Sequence, residues 1–303
     1  MTTQALSIGI DLGASRIKAV LMDETGNILH QQTTATHDGD SRLWKNAVVT
    51  IVKDLEKKSG LTPHVGIAAP GLPNDAATAI AVMPGRLQGL ENFDWCENLG
   101  TQAVVLNDAV SALIAESRYG AAKNCRHAVM LTLGTGVGGA ILIDGQPYLG
   151  AFNKAGHFGH MVINDEGRPG ITGMPGSLEE SIGNATVSER SGGKFTTTHE
   201  LLKAYRSGDA LAKDVWITSV RKLAIGLASI VNILSPEVIV LGGGITEAGP
   251  DLFDPLAKFM DQYEWRAGGK QVTIVKAVQG DMAGAMGAAC YARETAARKE
   301  AKK

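Results

Sequence analysis

Apolar runs and small-residue turns alternate through the chain, and one arrangement of them occurs twice. Residues 7–10 form a short apolar run, the turn Asp11-Leu12-Gly13-Ala14-Ser15 follows, and residues 17–22 form a second run ending at the polar turn Glu24-Thr25-Gly26. Short apolar runs bounded by turn residues predict buried strands. About 120 residues later the order repeats. There, residues 128–133 lead into Gly134-Thr135-Gly136, with Gly138-Gly139 close behind, then residues 140–143 and Asp144-Gly145, a strong hairpin signal. The two copies predict an internal duplication of a strand–turn–strand unit.

The rest of the pattern alternates helix and strand. Leu43, Ala47, Ile51 and Leu55 recur at helical spacing and predict an amphipathic helix over Ser41–Ser59, stopped by Gly60. Residues 64–69 predict a strand that enters the rigid turn Pro70-Gly71-Leu72-Pro73, residues 74–102 read as irregular, and residues 104–106 predict a buried strand. Asn107-Asp108 caps a helix over 109–119. A long segment rich in Gly and His spans 148–174, and helices follow over 178–182 and 198–206. The longest helix, 211–234, stops before Pro236. A strand over 237–241, the run Gly242-Gly243-Gly244, a helix over 250–262, a strand over 272–275 and a terminal helix from Gly284 complete an α/β chain.

Composition narrows the class. The 303 residues suffice for one large or two medium domains, and the 44% apolar fraction supplies their cores. A net charge of −2 offers no broadly basic surface to nucleic acid or to an anionic membrane. No uninterrupted apolar run has the ~18 residues of a membrane span. The chain enters a strand almost at once, so no signal peptide is expected. Cys96, Cys125 and Cys290 are scattered, odd in number and form no CxxC pair, as expected of reduced thiols in a cytoplasmic protein.

Two features carry candidate chemistry. Glycines at the paired turns let backbone N–H groups approach an anion with no Cβ in the way, and Thr135 adds a hydroxyl. Either turn alone is equally a plain glycine-rich hairpin, and neither matches GxxxxGK[ST] or a full GxGxxG fingerprint. Asp108 follows a buried strand and opens a helix, at a strand's carboxyl end, where open α/β folds bind ligands. A helix N-terminus favours an ionised carboxylate, which a general base near neutral pH requires. Alone, the Asn107-Asp108 pair reads first as an ordinary helix cap, and the surrounding motifs are what turn it toward catalysis.

Taken together, the motifs resemble the sugar kinases of the ROK (repressor, ORF, kinase) family, in the actin-like ATPase superfamily. The resemblance covers nearly the whole chain. It rests on DLGASRIKA at 11–19, AAPG at 68–71, LNDA at 106–109, LGTGVGGAI at 133–141, AGHFGHM at 155–161, GSLEE at 176–180, VIVLGGGI at 238–245 and AGAMGAA at 283–289. It implies a two-lobed actin-like (ribonuclease H-like) ATPase fold, with duplicated α/β domains around a central cleft. The small N-terminal lobe would span 1–107 plus about 285–303, and the large C-terminal lobe 108–284. By the same resemblance, Gly13, Ala14 and Ser15 face the transferring phosphoryl group of ATP, and Gly134, Thr135 and Gly136 hold its other phosphates. Asp11 holds magnesium through water, because Mg²⁺ dehydrates reluctantly. Gly243, Gly244 and Gly284 flank the nucleoside. Where the family has Gly-Gly-Thr, this chain has Gly13-Ala14-Ser15, both changes being small and keeping a hydroxyl. Asp108 becomes the catalytic base that accepts the proton of the attacking sugar hydroxyl. Asn92, Asn107, His160 and Glu179 bind the sugar, and His157 lines its site.

That site is where the chain departs from the family. The family pattern is Glu-x-Gly-His followed by Cys-x-Cys-Gly-x-x-Gly-Cys-x-Glu. Here the first part reads His157-Phe158-Gly159-His160, and the three cysteine positions are Gly170, Thr172 and Ser177, with Glu179 kept. Four-ligand zinc needs Cys or His at these places, so no structural zinc is expected. The expectation is a cytoplasmic, ATP- and Mg-dependent kinase that phosphorylates a hexose or close derivative at its terminal hydroxyl. Its partners would be a sugar and a nucleotide, not nucleic acid or membrane, and homodimers are common in the family. Three alternatives stand beside it. A ROK repressor would carry a DNA-binding module ahead of the first phosphate loop, where ten residues precede Asp11. A non-catalytic sugar-binding relative is suggested by the lost glutamate. A kinase that takes polyphosphate as donor would need the same loops.

Overall fold

A computed structural model of the chain describes residues 5–83 and 85–301. In chain order the elements begin β1 (Ser7–Leu12), β2 (Arg16–Met22), β3 (Ile28–Ala35), α1 (Ser41–Ser59), β4 (His64–Ala69), β5 (Leu72–Pro73), β6 (Ile80–Val82), α2 (Trp95–Leu99), β7 (Ala103–Asn107) and α3 (Asp108–Tyr119). They continue β8 (Ala128–Leu133), β9 (Val137–Ile143), β10 (Gln146–Pro147), α4 (Leu178–Ile182), α5 (Val187–Arg190), α6 (Thr198–Arg206), α7 (Ala210–Leu234), β11 (Val238–Gly242), α8 (Pro250–Tyr263), β12 (Thr273–Lys276) and α9 (Ala283–Glu300). The chain forms two compact units: Met1–Asn124 with Leu149–Ala155 and Val278–Lys303, and Cys125–Tyr148 with Gly156–Ala277.

The first unit holds a five-stranded sheet in the order β3-β2-β1-β4-β7, and the second holds β10-β9-β8-β11-β12. In the first, β3, β2 and β1 are antiparallel, while β1, β4 and β7 are parallel. The second repeats this sense strand for strand. The duplication expected from the turns is therefore a duplication of whole sheets. Gly13-Ala14-Ser15 and Gly134-Thr135-Gly136 close equivalent hairpins, and Asp11 and Thr132 hold equivalent places in β1 and β8.

In the first unit, α9 packs across β1 and β4 and against α3. The approach is backbone to backbone: a Cβ at Gly9 would lie 1.8 Å from the Ala285 carbonyl oxygen, and one at Gly66 2.0 Å from that of Ala288. This packing keeps α3 with the first unit, so the division falls after Asn124, whereas the sequence expectation began the second lobe at 108. Helix α1 is capped by Asp40, whose side chain accepts from the N–H groups of Arg42 and Leu43, and it buries Trp44, Val48, Ile51, Val52 and Leu55. The stretch expected to be irregular, 74–102, instead forms β6 and α2, and its Phe93 and Trp95 rings pack on Trp44 at centroid distances of 6.2 and 6.1 Å. Buried Glu116 accepts from the N–H groups of Ala121 (2.7 Å), Val278 (2.8 Å) and Gln279 (2.8 Å). One carboxylate thus holds the chain just before it leaves this unit and just after it returns.

The second unit is built on α7, which buries Val215, Trp216, Val220, Leu223 and Leu227 and packs against α4, α6 and α8. Helix α7 is long and apolar enough, by length and composition, to cross a membrane.

Candidate active site

In the first unit the predicted residues gather at the carboxyl ends of β1 and β7. Asn107 is the N-cap of α3: its side-chain oxygen accepts from the N–H groups of Ala109 (2.9 Å) and Val110 (3.3 Å). Its amide also donates to the Gly71 carbonyl (3.1 Å), in the turn after β4. The cap fixes the first residue of the helix, Asp108, whose carboxylate accepts from the Ala109 N–H at 2.8 Å. Protein packed around Asp108 raises its carboxyl above the ordinary range, against the hydrogen bonds from Ala109 and Asn107 that lower it. The residue is nevertheless open to solvent, so this is a crowded carboxyl that a ligand can still reach.

Asp11 lies nearby, at the end of β1. Burial raises its carboxyl to about 6; Lys18 pulls it down, while Asp108 and Asp281 add to the rise. The side chain is 18% exposed, enough to offer an oxygen to a hydrated cation. Gly284, at the start of α9, faces it: a Cβ there would lie 2.7 Å from the Asp11 Cγ. Gly13 is tied into its turn by a hydrogen bond from its N–H to the Arg16 carbonyl, and Thr36 donates to the Gly13 carbonyl at 2.6 Å. Ala14 and Ser15 complete the turn. Asn92 is exposed, with φ 58°, at a cavity of about 680 Å³ also lined by Asp38, Gly39, Arg86, Leu87 and Glu91. Neither Asn107 nor Asp108 lines that cavity.

Two residues here, Lys18 and Asp281, were missed by the sequence reading. Lys18 lies opposite Asp11 in the β1–β2 hairpin. Its ammonium lies 3.8 Å from Asp11 and 3.6 Å from Asp281. The hairpin's own symmetry about its turn was the available signal, since it pairs residue 11 with residue 18.

In the second unit the predicted residues meet around the start of β9. The turn Gly134-Thr135-Gly136 closes with the Gly134 N–H donating to the Gly136 carbonyl at 2.9 Å. Glu179, in α4, accepts from the Val137 N–H at 2.8 Å. The single 3₁₀ turn Phe158–His160 packs on the same residue: a Cβ at Gly159 would lie 2.0 Å from the Val137 carbonyl oxygen. The His157 and His160 rings are parallel, with centroids 6.2 Å apart. Gly243, at φ 87°, abuts the end of β8, where a Cβ would lie 2.4 Å from the Leu133 carbonyl oxygen. Gly244 opens the 3₁₀ helix Gly244–Ala248.

The loop that carries cysteines in the family is held here by its backbone. Ile163 and Asn164 donate to the Gly176 carbonyl (3.0 and 3.2 Å), Gly170 to Met174 (2.9 Å), Gly176 to Arg168 (2.9 Å) and Leu178 to Met161 (2.9 Å). Ser177, at one cysteine position, caps α4 by accepting from the Glu180 N–H at 3.3 Å. Gly170 and Thr172 bring no thiol, so the donor set does not fit zinc. Among the described residues, no three His, Cys, Asp or Glu side chains group as metal ligands. A single oxygen donor such as Asp11 does fit magnesium held through water.

The glucokinase of Streptomyces coelicolor is 29% identical over 324 residues, covering 95% of this chain and 98% of that protein. The glucokinase of Thermotoga maritima is 28% identical, covering 95% and 97%. Among solved structures, the ROK hexokinase from Thermus thermophilus superposes with a TM-score of 0.87 at 26% identity, covering 97% of this chain and 99% of that one. The ROK family glucokinase from Streptomyces griseus, solved with glucose and AMPPNP, superposes with a TM-score of 0.78 at 26% identity, covering 96% and 100%. The ROK family profile matches residues 7–295, and this chain, with its duplicated actin-like α/β sheets, belongs to the ROK family.

Proposed function

We propose that this chain is an ATP-dependent sugar kinase that transfers the γ-phosphoryl group to a hydroxyl, the terminal one, of a hexose or hexose derivative. The observation that carries this reading is Asp108, fixed by the Asn107 cap at the start of α3 and still open to solvent, in a chain similar to glucokinases over nearly its whole length.

In this reading the Asp108 carboxylate accepts the proton of the sugar hydroxyl as that oxygen forms its bond to the γ-phosphorus. The bond from that phosphorus to the bridging oxygen breaks, and ADP leaves with the electron pair. Because the transition state is loose, holding the acceptor in line matters as much as basicity. The rigid cap supplies that alignment. Gly13, Ala14 and Ser15 receive the transferring group, and Gly134, Thr135 and Gly136 the other phosphates. Gly243 and Gly244 flank the nucleoside in this reading; Gly284, given the same task by the sequence, stands instead against the Asp11 carboxylate, 2.7 Å from its Cγ for a Cβ placed there. Asp11 would hold magnesium, which neutralises phosphate charge when bound. Asn107, His160 and Glu179 are the sugar ligands, together offering the donors and acceptors that a polyol alternates; Asn92 is a further ligand of the same set.

One residue favours a refinement. His157 replaces the family's glutamate, so an imidazole stands where the family has a charged acceptor. This supports a substrate that differs from glucose around C1 or C2, such as an epimer, a ketose or a 2-acylated amino sugar. The test is ADP release with ATP or polyphosphate as donor, against a panel of hexoses, amino sugars and N-acetyl amino sugars. Turnover of at least one sugar with ATP supports the reading. No turnover with any sugar, although sugar binds, would make the chain a sugar-binding protein instead.

A further inference from the structure

We propose that Glu179 is a positioning residue for the turn Gly134-Thr135-Gly136, so that one carboxylate ties the sugar side of the second unit to its phosphate-binding turn. The inference rests on the kinase reading above and adds a second task to a residue given only sugar binding there.

Glu179 is the second residue of α4, whose N-terminus is fixed by the Ser177 cap. Its Oε2 accepts from the N–H of Val137, the residue that immediately follows the turn, at 2.8 Å. The approach depends on Gly136 having no side chain: a Cβ there would lie 2.1 Å from Oε2 and 2.7 Å from Cδ. The other side of the turn is held by the residues just after α4. Asn184 donates to the Gly134 carbonyl and Ala185 to the Thr135 carbonyl, each at 2.9 Å. The turn is therefore fixed on its carbonyl side by backbone and on its amide side by one carboxylate. The Val137 N–H takes Oε2 and not Oε1, and in the kinase reading Oε1 is the oxygen that meets the sugar.

Two consequences follow. Removing the carboxylate leaves the Val137 N–H without its partner and frees one side of the turn, so nucleotide binding weakens even when no sugar is present. A sugar that hydrogen-bonds Oε1 firms the same carboxylate, so sugar and nucleotide raise each other's affinity, as linkage requires. A residue that merely read the sugar would do neither.

The experiment is calorimetric titration of a non-hydrolysable ATP analogue, with Mg²⁺ and without sugar, into wild type, Glu179→Ala, Glu179→Gln and Gly136→Ala. Loss of a charged hydrogen bond at the turn predicts analogue binding weaker by about tenfold in Glu179→Ala. Glu179→Gln keeps an oxygen that accepts from Val137 and restores most of that affinity, while its KM for the sugar stays raised. Gly136→Ala pushes the carboxylate away from the other side and reproduces the nucleotide loss. Glu179→Ala or Gly136→Ala that binds the analogue as wild type does would overturn the proposal while leaving the kinase reading intact. Wild type that binds no nucleotide would overturn both.

Discussion

Gly284 lies against the face of the Asp11 carboxylate: a Cβ at 284 would lie 2.7 Å from the Asp11 Cγ and 2.9 and 3.0 Å from its two carboxylate oxygens. The first turn of α9 therefore sets the space in which the carboxylate at the end of β1 stands. Gly284→Ala forces that carboxylate to move, because the helix is locked to β1 and β4 by backbone contacts at Gly9 and Gly66 and cannot retreat. Overpacking of this kind costs about 1–3 kcal/mol. The expected outcome is a lowered melting temperature and a larger proportional loss of kcat, with a steeper dependence on magnesium concentration. A variant with wild-type magnesium dependence would separate Asp11 from the metal.

Acid stability is expected to depend on Asp23, which closes the β2–β3 hairpin. Burial raises its carboxyl, but hydrogen bonds from Thr25 and Asn27 outweigh burial and bring it down to about 2. Oδ1 accepts from the N–H and hydroxyl of Thr25 (2.9 and 2.7 Å) and from the Asn27 N–H (3.0 Å), and Oδ2 accepts from the Asn27 amide (3.0 Å). A carboxyl depressed in the folded state stabilises fully above its unfolded value and loses that contribution as pH falls through its folded value. The window is therefore from about pH 4 down to about pH 2. Urea unfolding at pH 7, 4, 3 and 2 should show a steeper fall for wild type than for Asp23→Ala. Parallel curves would remove Asp23 from the acid transition.

Metal content follows from the loop over 161–178. Its thiol positions are Gly170, Thr172 and Ser177, and backbone hydrogen bonds hold it closed. Elemental analysis of purified protein is expected to find no stoichiometric zinc, and a chelator is expected to leave the nucleotide-free melting temperature unchanged. About one zinc per chain would contradict this.

Substrate choice turns on His157. A neutral imidazole donates one hydrogen bond and accepts one, where a carboxylate accepts from two vicinal hydroxyls. His157→Glu is expected to gain kcat/KM for glucose relative to the sugar wild type prefers, by about the tenfold or more that a charged hydrogen bond of ~1.5–3 kcal/mol represents. An unchanged ranking of sugars would mean that His157 does not read the substrate.

Much of the fold was legible because glycine turns and apolar runs are local signals. The paired hairpins, α1, α3 and α7 are each written in consecutive residues. Strand β3 was not, because seven of its eight residues are exposed and ILHQQTTA has no apolar alternation; its pairing with β2 makes it a strand. In 74–102, β6 and α2 depend on tertiary packing of Phe93 and Trp95 against Trp44. The site divides in the same way. The catalytic candidate Asp108 stands beside its own cap and could be read locally. The Glu179–Val137 bond spans 42 positions and exists only because Gly136 lacks a Cβ, which no spacing rule reveals.

The most direct test of the account is Asp108→Asn, assayed for phosphoryl transfer and for sugar binding together. The substitution is nearly isosteric, keeps a side chain suited to a helix start and removes the charge. Positioned base catalysis contributes about 10²–10⁴-fold, so turnover should fall by that order while sugar affinity stays within a small factor of wild type. The wild-type kcat/KM should also fall on its acid side above the usual carboxylate range, since the Asp108 carboxyl is raised by the protein around it and a base acts only when deprotonated. An Asp108→Asn enzyme that turns over at close to the wild-type rate would contradict the account.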